Sequence, residues 1–272
     1  MPQISQASFG ALCHHMKDRY GLDLEKKKVM VEGRLSSVLK QRGLSDYDDY
    51  IQSVISDQTG AEAGTLLTKL TTNYTYFMRE DIHYKFMVET ALPELIPTIK
   101  DNDLRVWSAA SSSGEEPYTI AMVLDNYFGA KKSSWDTTVL ATDISPNVLR
   151  QAKDAVYTSR SLERVPADYI AKYFNKLSDT EYQVTPQIRK EIVFRQFNLM
   201  EKVIPFKKKF HIIFCRNVMI YFDAPTKHAL MRRLYDAIVP GGYFFIGLSE
   251  TITRGETEFV SVKPSIYKKI AK

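Results

Sequence analysis

Apolar residues recur at helical spacing through the first seventy residues of the chain. The three stripes are Phe9, Leu12, Cys13, Met16 and Tyr20, then Met30, Val31, Leu35, Val38 and Leu39, and finally Tyr47, Tyr50, Ile51, Val54 and Ile55. Each stripe repeats every three or four residues, as expected for a helix that packs one face against a core. We expect Ser45 to cap the third helix, and Leu66, Leu67 and Leu70 to belong to a fourth. The pattern predicts a small all-α domain over residues 1–70.

From Leu104 onward, short apolar runs alternate with amphipathic segments. The predicted strands are LRVWSAA, TTVLATDI, a weaker EIVFRQF, FHIIFCRNV, GYFFIGLSE and a terminal edge strand, SIYKKI. Predicted helices begin near Pro117, Pro146 and Ala224. This alternation favours an α/β fold with a doubly wound parallel sheet, in which ligands bind at the carboxyl ends of the strands.

Two segments lie outside this alternation. Residues 71–103 are expected to form a linker and a connecting helix that lead into a sheet domain over residues 104–272. Within that domain, EYQVTP and EIVFRQF read as a β-hairpin. We therefore predict an inserted flap near residues 177–197.

Composition excludes several classes of protein. The net charge is +5, which is less than expected for a nucleic-acid-binding protein with a strongly basic face. No apolar run approaches the roughly 20 residues that cross a bilayer, and the first residues show no signal-peptide pattern. Cys13 and Cys215 suggest neither a disulfide nor a metal-ligand pair. We expect a cytoplasmic protein that neither binds nucleic acid nor inserts into membranes.

Positive charge is nevertheless concentrated in one helical stretch, which contains Lys26, Lys27, Lys28, Arg34, Lys40 and Arg42. This stretch has two interpretations. It is either a contact surface for an acidic partner or an ordinary solvated helix face.

The segment VWSAASSSGEEPYTIAMVL predicts a strand, a loop of small residues and a helix opened by Pro117. Small side chains let a ligand approach the backbone at a helix N-terminus. The loop lacks the glycine pattern of a dinucleotide site and the lysine of a phosphate loop. Glu115 and Glu116 instead favour a cationic ligand, such as the ammonium and sulfonium of S-adenosylmethionine. The other interpretation is an ordinary helix start.

Polar residues also follow two other predicted strands. Asp143 ends TTVLATDI, where a carboxylate commonly accepts hydrogen bonds from ribose hydroxyls. Asp143 could alternatively cap the next helix, although Ser145 is equally suited to that role. Arg216 and Asn217 follow FHIIFC, and a buried Arg216 would require an acidic or ligand partner.

Five segments together resemble the chemotaxis receptor methyltransferase (CheR) family: TTNYTYFMRE, RVWSAASSSGEEPYTIAM, LATDIS, FCRNVMIYFD and GGYFFIGLSE. They span essentially the whole chain in the family's order. The resemblance implies a Rossmann-like class I methyltransferase sheet and S-adenosylmethionine as the cofactor. It also implies methyl transfer to glutamate side chains on the cytoplasmic helical bundle of a chemoreceptor.

The resemblance also implies roles for individual residues. It assigns Asn73, Thr75 and Arg79 to cofactor binding or the reaction centre, Glu116 to the methionyl end, Asp143 to the ribose, Asn198 and Leu199 to the adenine side, Arg216 and Asn217 to the crevice, and Tyr221 to the transferred methyl. We expect Arg79 and Tyr221 to be catalytic because they could hold the incoming carboxylate. A surface salt bridge for Arg79 and a core position for Tyr221 are the alternatives.

The proposed reaction needs no general base, because a glutamate side chain is already ionised at neutral pH. The five histidines form no catalytic or metal constellation in the sequence, and no metal site is expected. The flap segment KLSDTEYQVTPQIRK lacks the glycine-rich loop of family members that bind a receptor tail, so we expect binding to receptors without a C-terminal pentapeptide tether. We also expect a monomer. The alternatives are a non-catalytic S-adenosylmethionine-sensing module that binds a receptor and an enzyme that methylates small carboxylic acids.

Overall fold

The computed structural model describes residues 3–57, 61–71, 74–252, 255 and 257–270. The first part of the chain forms four helices within those ranges: α1 (Gln6–Tyr20), α2 (Lys28–Arg42), α3 (Tyr47–Ser56) and α4 (Ala61–Leu70). Their apolar stripes meet in one buried cluster that includes Leu12, Met16, Leu35, Ile51 and Leu66. The predicted all-α unit is therefore present, with a core of its own.

The ends of these helices follow local capping chemistry. The Ser5 hydroxyl accepts a hydrogen bond from the Ser8 N–H at 3.1 Å and caps α1. The predicted cap at Ser45 is wrong by one residue, because Asp46 is extended and its carboxylate accepts from the Asp48 N–H at 2.8 Å. Gly21 ends α1 with a φ of 68°, a conformation that glycine adopts without strain.

The predicted connecting helix comprises α5 (Ile82–Phe86), a π-helical turn (Met87–Ala91) and α6 (Leu92–Leu95). A short 3₁₀ turn, Ile96–Thr98, then leads toward the sheet. No helix among the described residues is both long and apolar enough to cross a membrane.

The main sheet contains seven strands within the described residues: β1 (Val106–Ala109), β2 (Val139–Asp143), β6 (Ile192–Gln196), β7 (Phe210–Phe214), β8 (Ile238–Phe245), β9 (Val260–Lys263) and β10 (Ile266–Lys268). Their spatial order is β6-β2-β1-β7-β8-β10-β9, and the first five run parallel. The strand order reverses beside β1, so a crevice opens at the carboxyl ends of β1, β2 and β7.

Three helices connect the parallel strands: α7 (Glu115–Phe128), α8 (Pro146–Asp154) and α11 (Ala224–Ala237). Pro146 opens α8 as predicted, and Asp223 caps α11 through the Thr226 N–H at 3.0 Å. The predicted start of α7 is two residues late, since Gly114 is its N-cap and Pro117 is its third residue.

The inserted flap is a second sheet, with three strands rather than a hairpin. It contains β3 (Val156–Thr158), β4 (Phe174–Lys176) and β5 (Glu181–Val184), with β5 in the middle. The α9 helix (Ala167–Tyr173) lies between β3 and β4, and α10 (Pro186–Arg189) follows β5. EIVFRQF does not pair with EYQVTP, because α10 returns the chain to the main sheet, where β6 pairs with β2. The other prediction for EIVFRQF, a strand of the main sheet, is confirmed.

The segment SIYKKI was predicted as the edge strand of the main sheet, and this prediction is wrong. It supplies β10, which pairs antiparallel with both β8 and β9. The outer position belongs to β9, a strand that is exposed along its whole length.

Candidate functional site

A cavity of about 500 Å³ opens at the carboxyl ends of the parallel strands and is closed on its other side by the N-terminal helices. Almost every residue predicted for the site lines it: Thr75, Arg79, Glu116, Asp143, Asn198, Leu199, Arg216, Asn217 and Tyr221. Asn73, the remaining predicted residue, lies outside the described residues. Segments that are far apart in sequence are thus brought together around one space.

The loop between β1 and α7 forms one wall of the cavity. Ala110, Ser112 and Gly114 have positive φ values of 92°, 49° and 100°, and strained backbone of this kind often occurs at ligand sites. A side chain at Gly114 would lie 2.7 Å from the Tyr157 hydroxyl. The loop therefore turns sharply while packed against the flap sheet.

Two hydroxyl groups in this loop are buried without a hydrogen-bond partner among the described residues, those of Ser111 and Ser112. Both serines line the cavity. Buried polar groups normally have partners, because leaving one unsatisfied costs about 1–3 kcal/mol. A ligand in the cavity would supply the missing partners.

Asp143 lies at the end of β2, against the same loop. Its carboxylate accepts from the Ser112 N–H at 2.9 Å and from the Ser145 N–H at 3.0 Å. Burial raises the pKa of Asp143, although these backbone hydrogen bonds act in the opposite direction. Each carboxylate oxygen has a second lone pair, so Asp143 can both hold the loops and accept a hydrogen bond from a ligand.

Ser145 occupies the N-cap position of α8, but its side chain does not cap the helix. The hydroxyl instead lies 3.2 Å from that of Thr68 on α4. This contact joins the helical domain to the sheet domain beside Asp143.

Arg216 is the centre of a buried charge network. Its side chain is only 2% exposed and forms ion pairs with Glu116 at 2.9 Å and with Glu80 at 3.2 Å. It also donates to the Tyr84 hydroxyl at 3.0 Å and to the carbonyl oxygen of Arg79. The acidic partner that a buried Arg216 requires is therefore present twice.

Glu116 was expected to face the positive charge of a ligand, yet both of its oxygens already have partners in the protein. One accepts from Arg216, and the other accepts from the Ser108 hydroxyl at 2.7 Å. Glu116 remains a cavity-lining acceptor. Arg216 balances its charge only in part, because the same guanidinium also pairs with Glu80.

Glu80 was missed as a site residue. Its carboxylate accepts from the side chains of Arg216 and Asn217 and from the Leu248 N–H at 3.2 Å. Burial alone would raise the pKa of Glu80, but the Arg216 guanidinium outweighs burial and lowers it. Its position directly after Arg79 was visible in the sequence, whereas its partners depend on the fold.

Arg79 and Tyr221 line the same cavity from different segments. Arg79 donates to the Tyr74 carbonyl at 2.6 Å and lies 4.0 Å from the Glu80 carboxylate. Tyr221 ends a 3₁₀ turn, Met219–Tyr221, and packs partly against the N-terminal hydrophobic cluster. Arg79 is therefore more than a surface salt-bridge residue and Tyr221 is more than a core residue, because both side chains border an open cavity.

The far end of the cavity is built jointly by both domains. The Asn198 side chain donates to the carbonyl oxygen of Arg19 at 2.7 Å. The Asp23 N–H donates to the carbonyl oxygen of Tyr221 at 3.0 Å. Lys17 pairs with Asp223 at 3.0 Å. The apolar lining at this end combines Tyr20, Leu22, Leu24, Met30, Ile144, Phe197 and Leu199.

The part of the chain that the structure describes contains no group of three or more His, Cys, Asp or Glu residues that could hold a metal ion. Burial lowers the pKa of both His83 and His211 to about 4. These two side chains are neutral at pH 7, and neither lines the cavity.

Comparisons with known proteins agree with this architecture. The family model "CheR methyltransferase, SAM binding domain" matches residues 73–268, and "CheR methyltransferase, all-alpha domain" matches residues 7–71. The chain is 38% identical to a chemotaxis protein methyltransferase of Borreliella burgdorferi, covering 98% of this chain and 95% of that protein. It is 33% identical to the chemotaxis protein methyltransferase of Escherichia coli, covering 97% and 91%.

Among solved structures, the chain is similar to the glycopeptide N-methyltransferase MtfA in complex with S-adenosylmethionine. The identity is 16%, the coverage is 58% of this chain and 48% of that one, and the TM-score is 0.32. This likeness is too weak to support a conclusion about substrate or mechanism.

Proposed function

Because the chain belongs to the CheR methyltransferase family, we propose that it esterifies glutamate side chains on the cytoplasmic helical bundle of a chemoreceptor. The matched sheet domain is an S-adenosylmethionine-binding domain, so S-adenosylmethionine is the methyl donor. One observation carries the proposal: a single cavity unites a buried carboxylate, two hydroxyls with no partner among the described residues, and the two candidate carboxylate-binding side chains, Arg79 and Tyr221.

The residues present fit the methyl donor. The cavity volume of about 500 Å³ is typical of small-molecule sites. Asp143 offers a carboxylate for ribose hydroxyls, while Ser111 and Ser112 offer hydroxyls that have no partner among the described residues. Phe197 and Leu199 provide apolar surface for a base. Glu116, already paired with Arg216, would accept from the donor's ammonium group.

S-adenosylmethionine supplies an electrophilic methyl group on a positively charged sulfur. The protein's own contribution is to position the substrate carboxylate and exclude water, because a well-aligned and partly desolvated carboxylate is a better nucleophile. We assign the Arg79 guanidinium and the Tyr221 hydroxyl to holding that carboxylate. The remaining predicted residues, Asn73, Thr75, Asn198, Leu199, Arg216 and Asn217, are assigned to binding the donor and shaping its site.

The basic stretch is proposed to contact the acidic bundle of the receptor, but its members divide into two groups. Lys27 and Arg34 line the cavity, and Arg34 donates to the Leu70 carbonyl at 2.5 Å at the end of α4. Lys26, Lys40 and Arg42 are exposed, but Arg42 already pairs with Glu62 at 2.6 Å. Lys26 and Lys40 are therefore the better candidates for receptor contact.

We further propose that the protein acts as a cytoplasmic monomer, and that it binds receptors without a C-terminal pentapeptide tether. The connection between β4 and β5 supports only the absence of a tether, because the Leu177 N–H donates to the Glu181 carbonyl at 2.9 Å and closes a tight, glycine-free turn. A non-catalytic sensing module is disfavoured, since Arg79 and Tyr221 both border the cavity.

The decisive experiment supplies tritium-methyl-labelled S-adenosylmethionine and membranes that contain a chemoreceptor from the same organism. The receptor should gain label that mild alkali releases as volatile methanol, because carboxylate methyl esters hydrolyse under these conditions. Label that resists alkali would indicate another acceptor atom. Label in small carboxylic acids, with none in the receptor, would contradict the proposal.

A further inference from the structure

A second cavity, of about 220 Å³, lies beside the first one. It is lined by Tyr74, Thr75, Tyr76, Thr158, Arg160, Ser161, Glu163 and Arg164. Thr75 lines both cavities. The smaller cavity therefore adjoins the proposed reaction centre on the side of the flap sheet.

Two arginines give the smaller cavity an excess of positive charge. Arg160 and Arg164 are exposed. Asp81 attracts Arg164 electrostatically, but its carboxylate already pairs with Lys85 at 2.6 Å. Glu163 is the acidic residue of the lining and offsets one of the two charges. Arg79 adds another positive charge on the other side of Thr75. An anionic group is the ligand that this surface attracts.

Arg164 is held in place before any ligand binds. Its guanidinium lies 5.0 Å from the centre of the Tyr76 ring, and the Tyr76 ring lies 5.5 Å from that of Tyr74. Stacking against an aromatic ring leaves the planar fork of N–H donors free to bind a carboxylate. The hydroxyls of Thr158 and Ser161 are hydrogen-bonded to each other at 3.3 Å, which leaves one O–H donor for a ligand at the same surface.

We propose that this smaller cavity binds a second carboxylate of the polypeptide substrate, close to the glutamate that is methylated. This inference rests on the proposed function and assigns Arg160 and Arg164 as specificity-determining residues. A polypeptide whose glutamate enters the larger cavity must continue past its rim. The charge beside Thr75 favours acidic side chains on that continuing segment.

The test uses a soluble cytoplasmic domain of a receptor that the wild-type enzyme methylates. In the double variant Arg160→Ala/Arg164→Ala, the KM for this domain should rise about tenfold or more. The kcat should stay within about twofold, and the affinity for S-adenosylmethionine measured by calorimetry should not change. Arg150→Ala is the matched control, because it removes an exposed guanidinium from α8 that lines neither cavity.

A double-mutant cycle makes the test specific. Acidic residues next to the methylated glutamate are changed to their amides, which should weaken methylation by the wild-type enzyme but not by the double variant. Equal losses for both enzymes, or equal KM changes in Arg150→Ala and the double variant, would overturn the inference. If wild-type enzyme methylates no receptor at all, the proposed function fails first and the inference fails with it.

Sedimentation with phosphatidylglycerol vesicles tests whether the two arginines bind a membrane surface instead of a polypeptide. The double variant and the wild type should bind such vesicles alike. Vesicle binding that is lost in the double variant, with unchanged kinetics on the receptor domain, would assign the arginines to a lipid surface and contradict the proposal.

Discussion

Glu250 accepts a hydrogen bond from the backbone N–H of Asn217 at 2.8 Å, although the two residues are 33 positions apart. The same carboxylate accepts from the N–H groups of Met219 at 2.8 Å and Gly247 at 2.6 Å. A side chain at Gly247 would collide with the Asn217 amide at 2.2 Å. The segment after β8 therefore fixes the backbone that carries Arg216, Asn217 and Tyr221.

Replacing Glu250 should loosen this support. In Glu250→Gln, an NH₂ group faces backbone N–H donors, so we expect the free energy of unfolding to fall by about 1–3 kcal/mol. Affinity for S-adenosylmethionine should fall as well. Urea denaturation and calorimetry measure the two effects, with the exposed Glu201→Gln as the control. Wild-type stability in Glu250→Gln would show that the loop holds itself in place.

The catalytic assignment is tested at Arg79 and Tyr221. Arg79→Ala should lower kcat by about tenfold or more, because a charge-assisted hydrogen bond contributes about 1.5–3 kcal/mol. Tyr221→Phe should lower it less, since only a neutral hydroxyl is lost. Steady-state kinetics at saturating S-adenosylmethionine measure both. A raised dissociation constant with a preserved kcat in Arg79→Ala would make Arg79 a donor-binding residue instead.

Asp143→Ala should weaken the binding of S-adenosylmethionine and of its demethylated product to a similar extent. The expected loss is roughly 1–3 kcal/mol, because the proposed acceptor for the ribose hydroxyls is removed. Calorimetry with both ligands measures it. Asp143 also supports backbone at Ser112 and Ser145, so Asp143→Asn serves as the milder variant. Unchanged affinity in both variants would limit Asp143 to a structural role.

Charge reversal separates the two groups of the basic stretch. Lys26→Glu/Lys40→Glu should raise the KM for receptor, most strongly at low salt, with little effect on affinity for S-adenosylmethionine. Arg34→Glu should disturb the cavity itself, because Arg34 binds the end of α4. Kinetics at two salt concentrations give the comparison. An unchanged KM in the lysine variant would mean that these lysines are merely solvated.

Two buried histidines should make the protein less stable in mild acid. The folded-state pKa values of His83 and His211 are about 4, below the ordinary 6.5, because both rings are buried. Between these pH values the unfolded chain binds more protons, so stability is complete above pH 6.5 and falls as pH drops toward 4. Over this pH range, each histidine lowers the free energy of unfolding by at most roughly 3 kcal/mol.

The variant His83→Gln/His211→Asn should flatten this part of the stability curve. Glutamine preserves the donor to Ser265, which lies 2.7 Å from His83 Nε2, and asparagine preserves an acceptor for the Arg105 N–H. Chemical denaturation at several pH values measures the slope. His228→Gln, on the exposed side of α11, is the control. If the free energy of unfolding depends on pH in the same way in the double variant and the wild type, the two histidines are not the cause of the acid sensitivity.

The fold could be predicted largely because each element carries its own periodic pattern. The α/β sheet and the N-terminal helices follow from runs such as FHIIFC and from the stripe that includes Leu12 and Met16. Single positions at the ends of elements were less predictable. Asp46 and Ser45 are both good caps, and only tertiary packing selects one of them.

The candidate site likewise contains residues that the sequence could place and residues that it could not. Asp143, Arg216 and the serine loop follow strands directly, so a local pattern could place them at one edge of the sheet. Glu80 and Glu250 could not be placed, because their partners come from distant segments. The flap was predicted as a hairpin, and its first strand was missed because β3, Val156–Thr158, is short and has little periodic signal of its own.

The contacts from Arg19 and Asp23 to the loops after β6 and β7 have a thermodynamic consequence. A molecule that fills the cavity touches apolar residues of both domains at once, such as Leu22 and Leu199, so its binding free energy also holds the two domains together. At a free ligand concentration 100 times the Kd, that linkage adds about 2.7 kcal/mol to the free energy of unfolding. The folded fraction of the chain thereby depends on the supply of its own methyl donor.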